Sequence, residues 1–183
     1  MANFYYLVSQ LPAISISVEN PVKPPLTYEY FQDLCHRFLE GDVLSKVEKL
    51  SLEPPKNSEK TGSCFLDGWY SWERGLRLSM AQFRAGKMKK EFSDSGLASV
   101  TQDIQQIARN ACNFESPLDA EKYLNGERLK KIDELTPTDI FCADNVFAYG
   151  LKLQMANRVV KFDKDAGMSS YRIIYDQILG ESK

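Results

Sequence analysis

The sequence lacks the common motifs of nucleotide and hydrolase chemistry. It contains no G-x-x-x-x-G-K-[ST] phosphate loop, no G-x-G-x-x-G dinucleotide fingerprint and no G-x-S-x-G nucleophile elbow. These motifs supply the backbone amides or the activated serine on which phosphate binding and acyl transfer depend. We therefore expect a protein that is not an enzyme and that binds no metal or nucleotide as a cofactor.

Histidine and cysteine are scarce as well. The single histidine, His36, follows Cys35, and neighbouring side chains on a helix point about 100° apart, so the two cannot pair as base and nucleophile. The four cysteines are widely spaced and include no C-x-x-C pair, which argues against a zinc site or a dithiol redox centre. We expect a structural or surface histidine and reduced thiols.

The chain has neither a long hydrophobic run nor a charge excess. No segment approaches the roughly 18 apolar residues of a membrane span. Residues 1–12 are apolar but lack the positive start and the uninterrupted apolar stretch of a secretory signal. The 23 Lys and Arg residues are balanced by 25 Asp and Glu residues, whereas general nucleic-acid binders carry a basic excess. These features predict a cytoplasmic protein that reaches a membrane only through partner proteins and binds no nucleic acid.

Helical periodicity is the dominant positive signal. No segment shows the alternation of a β-strand, and no internal repeat is present. With 183 residues, 43% of them hydrophobic, we predict an all-α fold made of a single compact domain spanning 1–183. Residues 53–63 form a polar loop rich in helix breakers, which we expect to be flexible. Asn3 is suited to cap a short helix that ends before Pro12, although a short extended segment is the alternative there.

Capping residues mark the predicted helix starts. Ser116-Pro-Leu-Asp119 combines a capping serine, a proline at the first helical position and an acid three residues after the cap. The helix that begins there has Glu121 and Arg128 on the same side as its apolar residues, and Asn125-Gly126 is a point where it could kink or divide. Thr27 is predicted to cap a helix that ends at Gly41, and Asp42 to cap a second short helix. A break at 92–98 is followed by a helix that Ser99 or Thr101 can cap. Thr136-Pro137 opens a helix or a turn, and a turn at 163–167 precedes a short last helix.

The segment from Asp144 to Val160 is predicted to be a helix with two apolar faces. One face carries Val146, Tyr149, Leu153, Ala156 and Val160, and the opposite face carries Phe147, Leu151 and Met155. Such a helix is either enclosed in the core or in contact with a partner, and we favour burial.

Both tryptophans lie on one predicted long helix between residues 67 and 90. At 100° per residue, its apolar stripe spans about 80° and consists of Trp69, Trp72, Leu76, Met80 and Phe83. Glu73, Arg77 and Arg84 line one border of this stripe. We predict that they form a charged edge paired mostly inside the protein, with Glu121 as the partner from another helix.

The same helix carries a basic run that could contact phosphate or an acidic protein. The run consists of Arg74, Arg77, Arg84, Lys87, Lys89 and Lys90. A solvated helix face with Glu73 and Arg77 paired at i,i+4 is the interpretation that we favour over nucleic-acid binding. Because aromatic and arginine side chains concentrate binding energy at interfaces, our candidate interface residues are Trp69, Arg74, Arg77 and Arg84.

Four segments together resemble a small, functionally uncharacterised family encoded inside bacterial V-type ATP synthase operons. They are Phe4-Tyr-Tyr-Leu-Val-Ser-Gln-Leu-Pro12, Trp72-Glu-Arg-Gly-Leu-Arg77 followed by Arg84-Ala85, Ser116-Pro-Leu-Asp-Ala-Glu121 and Tyr149-Gly-Leu-Lys-Leu-Gln154. The genes of this family lie between those of the peripheral-stalk E subunit and the catalytic A subunit. Related operons encode the C subunit, called subunit d in eukaryotic complexes, at that place.

The resemblance implies a C-like adaptor. The C subunit is all-helical, seats the central stalk on the membrane rotor ring and performs no chemistry. It is about twice as long as this chain and contains three related helical modules, so this chain, which has no repeat, would supply only part of such a funnel. An accessory subunit or assembly factor of a V-type ATPase is the function that the resemblance implies. The alternative is a free-standing helical module that binds RNA or an acidic protein through the basic face from Arg74 to Lys90.

Overall fold

Helices account for the regular secondary structure in the computed structural model, which describes residues 4–57, 59–92, 100–161 and 164–181. In these ranges the chain forms eight α-helices and no β-strand, which confirms the predicted all-α fold. The helices are α1 (Phe4–Gln10), α2 (Tyr28–Phe38), α3 (Gly41–Glu48), α4 (Cys64–Lys87), α5 (Gln102–Asn113), α6 (Pro117–Leu135), α7 (Ala143–Val160) and α8 (Lys164–Glu181).

Three helices, α2, α4 and α6, begin after a residue whose side chain caps the first turn. The Thr27 hydroxyl accepts a hydrogen bond from the Tyr30 amide at 3.2 Å, and the Ser116 hydroxyl accepts one from the Asp119 amide at 3.3 Å, as the sequence predicts. Ser63, which was not predicted as a cap, does the same for α4 through the Leu66 amide at 3.1 Å. Each bond satisfies one of the amides that lack a partner in the first helical turn.

The boundary between α2 and α3 differs from the prediction. α2 ends at Phe38 rather than at Gly41, and Asp42 lies inside the first turn of α3 instead of capping it. The reason is the intervening Leu39, which adopts an extended backbone and is buried in the core. Gly41 has a φ of 61°, a left-handed conformation that suits glycine.

Two further boundaries differ from the prediction, and one agrees with a predicted alternative. α6 continues through Asn125 and Gly126 without dividing, and the Asn125 side chain is buried. α8 spans 18 residues, is not short, and includes residues 164–167, which were predicted to belong to a turn. Thr136 ends α6, with its hydroxyl bonded to the Ile132 carbonyl, and the chain then forms a turn at Ile140 and Phe141, one of the two predicted alternatives. Asn3, Ser99, Asp163 and residues 93–98 of the predicted break at 92–98 lie outside the described residues.

The core is built around α4 and α7. α4 packs against α5, α6 and α7, while α7 also contacts α2 and α3. Both faces of α7 are buried, as predicted: Phe147, Leu151 and Met155 on one side, Val146 and Leu153 on the other. The residues between 53 and 63 lie outside helices, and their flexibility stays a prediction. None of the described helices combines the length and the apolar character needed to cross a bilayer.

Gly150 permits a close approach between α7 and the segment that follows α3. A Cβ atom at this position would lie 2.5 Å from Cδ2 of Leu50 and 3.0 Å from Cε1 of Phe31. Neither neighbour can withdraw easily, since Phe31 is fully buried and Leu50 nearly so. Glycine is therefore required here by packing, although the backbone is helical.

We predict that Gly150→Ala lowers the free energy of unfolding by about 1–3 kcal/mol, because the new methyl group overpacks the core. Gly126→Ala is the matched control, since it lies in mid-helix on α6 with no atom within 4 Å of the added Cβ. That variant should be stabilised by up to about 1 kcal/mol through helix propensity. Urea unfolding followed by circular dichroism measures both. Equal effects of the two substitutions would contradict the packing explanation.

Candidate interaction surfaces and a buried charge cluster

Three arginines and two glutamates from α4, α6 and α7 form a buried charge cluster. Glu73 on α4, whose side chain is 1% exposed, accepts two hydrogen bonds from Arg128 on α6, each at 3.1 Å. Arg77 donates a third to Glu73, at 2.9 Å from one helical turn away. A buried carboxylate is tolerated only when it is paired and hydrogen-bonded, and Glu73 meets both conditions.

The cluster continues from α6 to α7 through Glu121. This carboxylate accepts hydrogen bonds from Arg128, at 3.3 Å, and from Arg158 on α7. The Asn125 side-chain oxygen accepts another bond from Arg128 at 3.3 Å, which accounts for the burial of this amide. Arg128 is therefore the central member, because it bridges the carboxylates of Glu73 and Glu121.

Arg77 lies at the outer margin of the charge cluster. Its guanidinium is partly exposed and also lies 3.4 Å from the exposed carboxylate of Glu53. Partial burial lowers the pKa of Arg77, but the hydrogen bond and the charge of Glu73 outweigh burial and raise the pKa above its ordinary value. With Glu53, three carboxylates lie beside the three guanidinium groups of the cluster, so the numbers of negative and positive charges are equal.

The predicted charged edge is thus partly assembled in the structure. Glu73, Arg77 and Glu121 come together, whereas Arg84 is exposed and makes no ion pair with a described residue. Sequence reasoning missed Arg128 as the link between them. The signal was the position of Arg128 on the apolar side of α6, two turns after Glu121, where a charge requires a buried partner.

We predict that Arg128→Met lowers the free energy of unfolding by about 3–5 kcal/mol, because Glu73 stays buried with only part of its pairing. Lys130→Met is the control, since it removes an exposed basic side chain of α6 that, among the described residues, makes one ion pair, with Glu127. Its thermal midpoint should match that of the wild type. A loss in Arg128→Met no larger than in Lys130→Met would show that the cluster acts like a surface ion pair.

The candidate interface residues on α4 are mostly engaged inside the protein. Trp69 is fully buried and stacks on Trp72 with ring centroids 5.7 Å apart, so the structure corrects its assignment as an interface residue. Arg74 donates a hydrogen bond to the Pro55 carbonyl at 2.8 Å, and the head of Arg77 is paired as described. Arg84 is the candidate that presents an exposed head without an ion pair among the described residues.

An exposed aromatic patch lies where α1 meets the turn before α7. We define the aromatic patch as Tyr5, Tyr6, Ile140 and Phe141, whose exposures range from 41% to 62%. The Tyr5 ring lies 5.3 Å from the Phe141 ring and 5.7 Å from the Tyr6 ring, centroid to centroid. Contiguous exposed apolar side chains of this kind are typical of protein-interaction surfaces.

α8 carries a second exposed apolar surface. It makes at most marginal contact with any other helix. On a helical wheel six of its large apolar side chains fall within about 140° of one another, and each is 48% to 62% exposed. We define the α8 stripe as Met168, Tyr171, Ile174, Tyr175, Ile178 and Leu179. Ile173, which is 60% exposed, lies on the opposite face.

No group of three His, Cys, Asp or Glu side chains among the described residues is placed to hold a metal ion. Burial raises the pKa of the Cys35 thiol to about 12, which keeps it protonated at neutral pH. His36 lies at the surface, 3.6 Å from the Glu48 carboxylate, and not beside a nucleophile.

Comparison with known proteins gives one partial match. A family model described as a protein of unknown function, DUF2764, matches residues 94–182, slightly less than half of the chain. The matched region contains α5, α6, α7 and α8, so it includes the α8 stripe and three members of the buried charge cluster. No curated protein and no solved structure matches the chain.

Proposed function

We propose that this protein is a non-catalytic accessory subunit or assembly factor of a V-type ATPase, acting as a C-like adaptor between the central stalk and the membrane rotor ring. It works at the cytoplasmic side of the membrane and binds other subunits through protein contacts. It needs no cofactor. The motif resemblance described above motivates the identity of the complex, and the exposed apolar surfaces support the adaptor role.

The single observation that carries the adaptor role is the separation of two exposed apolar surfaces. The aromatic patch adjoins the start of α7 and the α8 stripe follows its end. The 18 residues of α7 place these two helix ends about 27 Å apart at 1.5 Å per residue. An adaptor requires two contact areas: α7 and the buried charge cluster belong to the helical body that carries the aromatic patch, and α8, which follows α7, carries the second area.

The basic face from Arg74 to Lys90 gives less support to the alternative, a module that binds RNA or an acidic protein. Arg74 and Arg77 are held by the Pro55 carbonyl and by Glu73 and Glu53. Lys87 donates to the Cys112 carbonyl. A phosphate ligand would have to displace these internal partners, which costs part of its binding energy.

We predict that tagged protein from its native host co-purifies with the catalytic and stalk subunits of the ATPase. The double substitution Tyr5→Ser and Phe141→Ser should reduce this recovery about tenfold, because aromatic side chains dominate interface energies. Tyr30→Ser is the matched control, since Tyr30 is 47% exposed on α2, outside the aromatic patch. Helicity by circular dichroism should be the same in the three proteins.

Deletion of the gene provides the functional test. We expect a lower yield of assembled complex or weaker coupling of ATP hydrolysis to ion pumping. A complex unchanged in both respects would refute the role. Salt-sensitive recovery of nucleic acid in place of the ATPase subunits would support the alternative module.

A further inference from the structure

α8 is a helix whose stability requires a partner. Isolated helices of up to about 15 residues are marginal in water even when rich in alanine. α8 has 18 residues but contains Gly167 and three isoleucines, which lower its intrinsic helix propensity. It gains little from the rest of the chain, because it makes at most marginal contact with α1 to α7. Burial of the α8 stripe is therefore the principal source of stability open to it.

The spacing of the stripe suits another helix. Met168, Tyr171, Tyr175 and Ile178 follow the 3-4-3 spacing of a helix–helix seam, and Ile174 and Leu179 widen it on either side. The stripe contains no charged residue. Its width matches the face that a helix presents in a bundle, which is broader than the seam of a long two-stranded coiled coil.

The size of the stripe fits a symmetric pair. Its six side chains together expose roughly 700 Å² per copy, judged from their fractional exposures, so two copies facing each other have on the order of 1,400 Å² to bury. Specific, stable interfaces bury about 1,200–2,000 Å² in total. Complete burial of both stripes would bring a pair of α8 helices into that range without a contribution from the rest of the chain.

The charges beside the stripe select the orientation of the pair. Arg172 and Asp176 lie one helical turn apart on the same border of the stripe, and neither makes an ion pair with another described residue. In an antiparallel pair related by a twofold axis, identical borders face each other, so Arg172 of one copy meets Asp176 of the other, twice. In a parallel pair, the border that carries Arg172 and Asp176 in one copy faces the other border of the second copy, which carries Ile174.

We propose that the α8 stripe is a self-association surface, through which two copies of this chain pair as antiparallel α8 helices with reciprocal Arg172–Asp176 ion pairs. This pairing can be tested without the ATPase, and it uses a different surface from the aromatic patch. It assigns to a second copy the α8 stripe, which the adaptor role counts as one of its two contact areas, and the pair would then present two aromatic patches, one on each copy. It assigns an occupant of stated chemistry, a second copy, to the largest group of exposed apolar side chains on one described helix.

The first test is sedimentation equilibrium of the full-length chain over a range of concentrations. Wild-type protein should reach twice the 20.9 kDa monomer mass. Ile174→Asp should raise the dimer dissociation constant at least about a hundredfold, because two carboxylates enter the apolar seam. Ile173→Asp is the matched control on the opposite face and should change the constant less than about threefold.

The second test separates pairing between copies from pairing within one helix. Arg172→Asp alone and Asp176→Arg alone should each weaken the dimer about tenfold at low salt, because like charges then face each other twice. An equimolar mixture of the two variants should form heterodimers as stable as the wild type. Mixing cannot restore an ion pair within one helix, so recovery on mixing identifies the antiparallel contact.

Each of three results would overturn the proposal. One is a wild-type chain that remains at 20.9 kDa up to about 1 mM, the weakest affinity of interest. Another is a dimer that Ile173→Asp and Ile174→Asp weaken equally, or that does not recover on mixing the charge variants. A monomeric chain whose capture of ATPase subunits is lost in Ile174→Asp would also overturn it, and would assign the stripe to a different protein.

Discussion

The pairing of Glu73 with Arg128 is the interaction on which the arrangement of the central helices depends. Apolar packing is non-directional, so the stripes of α4, α6 and α7 could associate in more than one register. A carboxylate that is 1% exposed tolerates only the register that brings a guanidinium to it, because an unpaired buried charge costs several kcal/mol. We infer that Arg128 specifies how α6 lies between α4 and α7, together with Glu121, which pairs with both Arg128 and Arg158.

Charged side chains lie inside this protein, and large apolar side chains lie at its surface. The core encloses Glu73 and Arg128 at the centre of the buried charge cluster, while the aromatic patch and the α8 stripe leave large apolar groups at the surface. Single exposed apolar residues are ordinary, but contiguous ones are associated with binding. The two arrangements are complementary in our interpretation: directional ion pairs fix the body that carries the aromatic patch, while α8, which makes at most marginal contact with that body, presents its stripe to another protein chain.

Local signals predicted much of the fold because their physical causes are local. Ser116 and Thr27 cap helices by accepting hydrogen bonds from amides three residues away, and the residue type and its position predict such bonds from sequence. The boundary at Gly41 was wrong because the burial of Leu39 decided it. Trp69 was nominated for an interface because aromatic side chains concentrate binding energy there, and a single helix does not reveal what covers its apolar face.

The sequence by itself determined the helical class, the starts of α2, α5, α6 and α7, and the two-faced, buried character of α7, since each follows from local capping or from the spacing of neighbouring residues. Only the tertiary structure decided that Arg128 pairs with both Glu73 and Glu121, that Leu50 packs closely against Gly150, and that the α8 stripe is exposed. The Glu73–Arg128 and Leu50–Gly150 contacts join residues far apart in the chain. Periodicity fixes the direction of a side chain on its own helix, but the neighbour that it meets depends on how all the helices pack together.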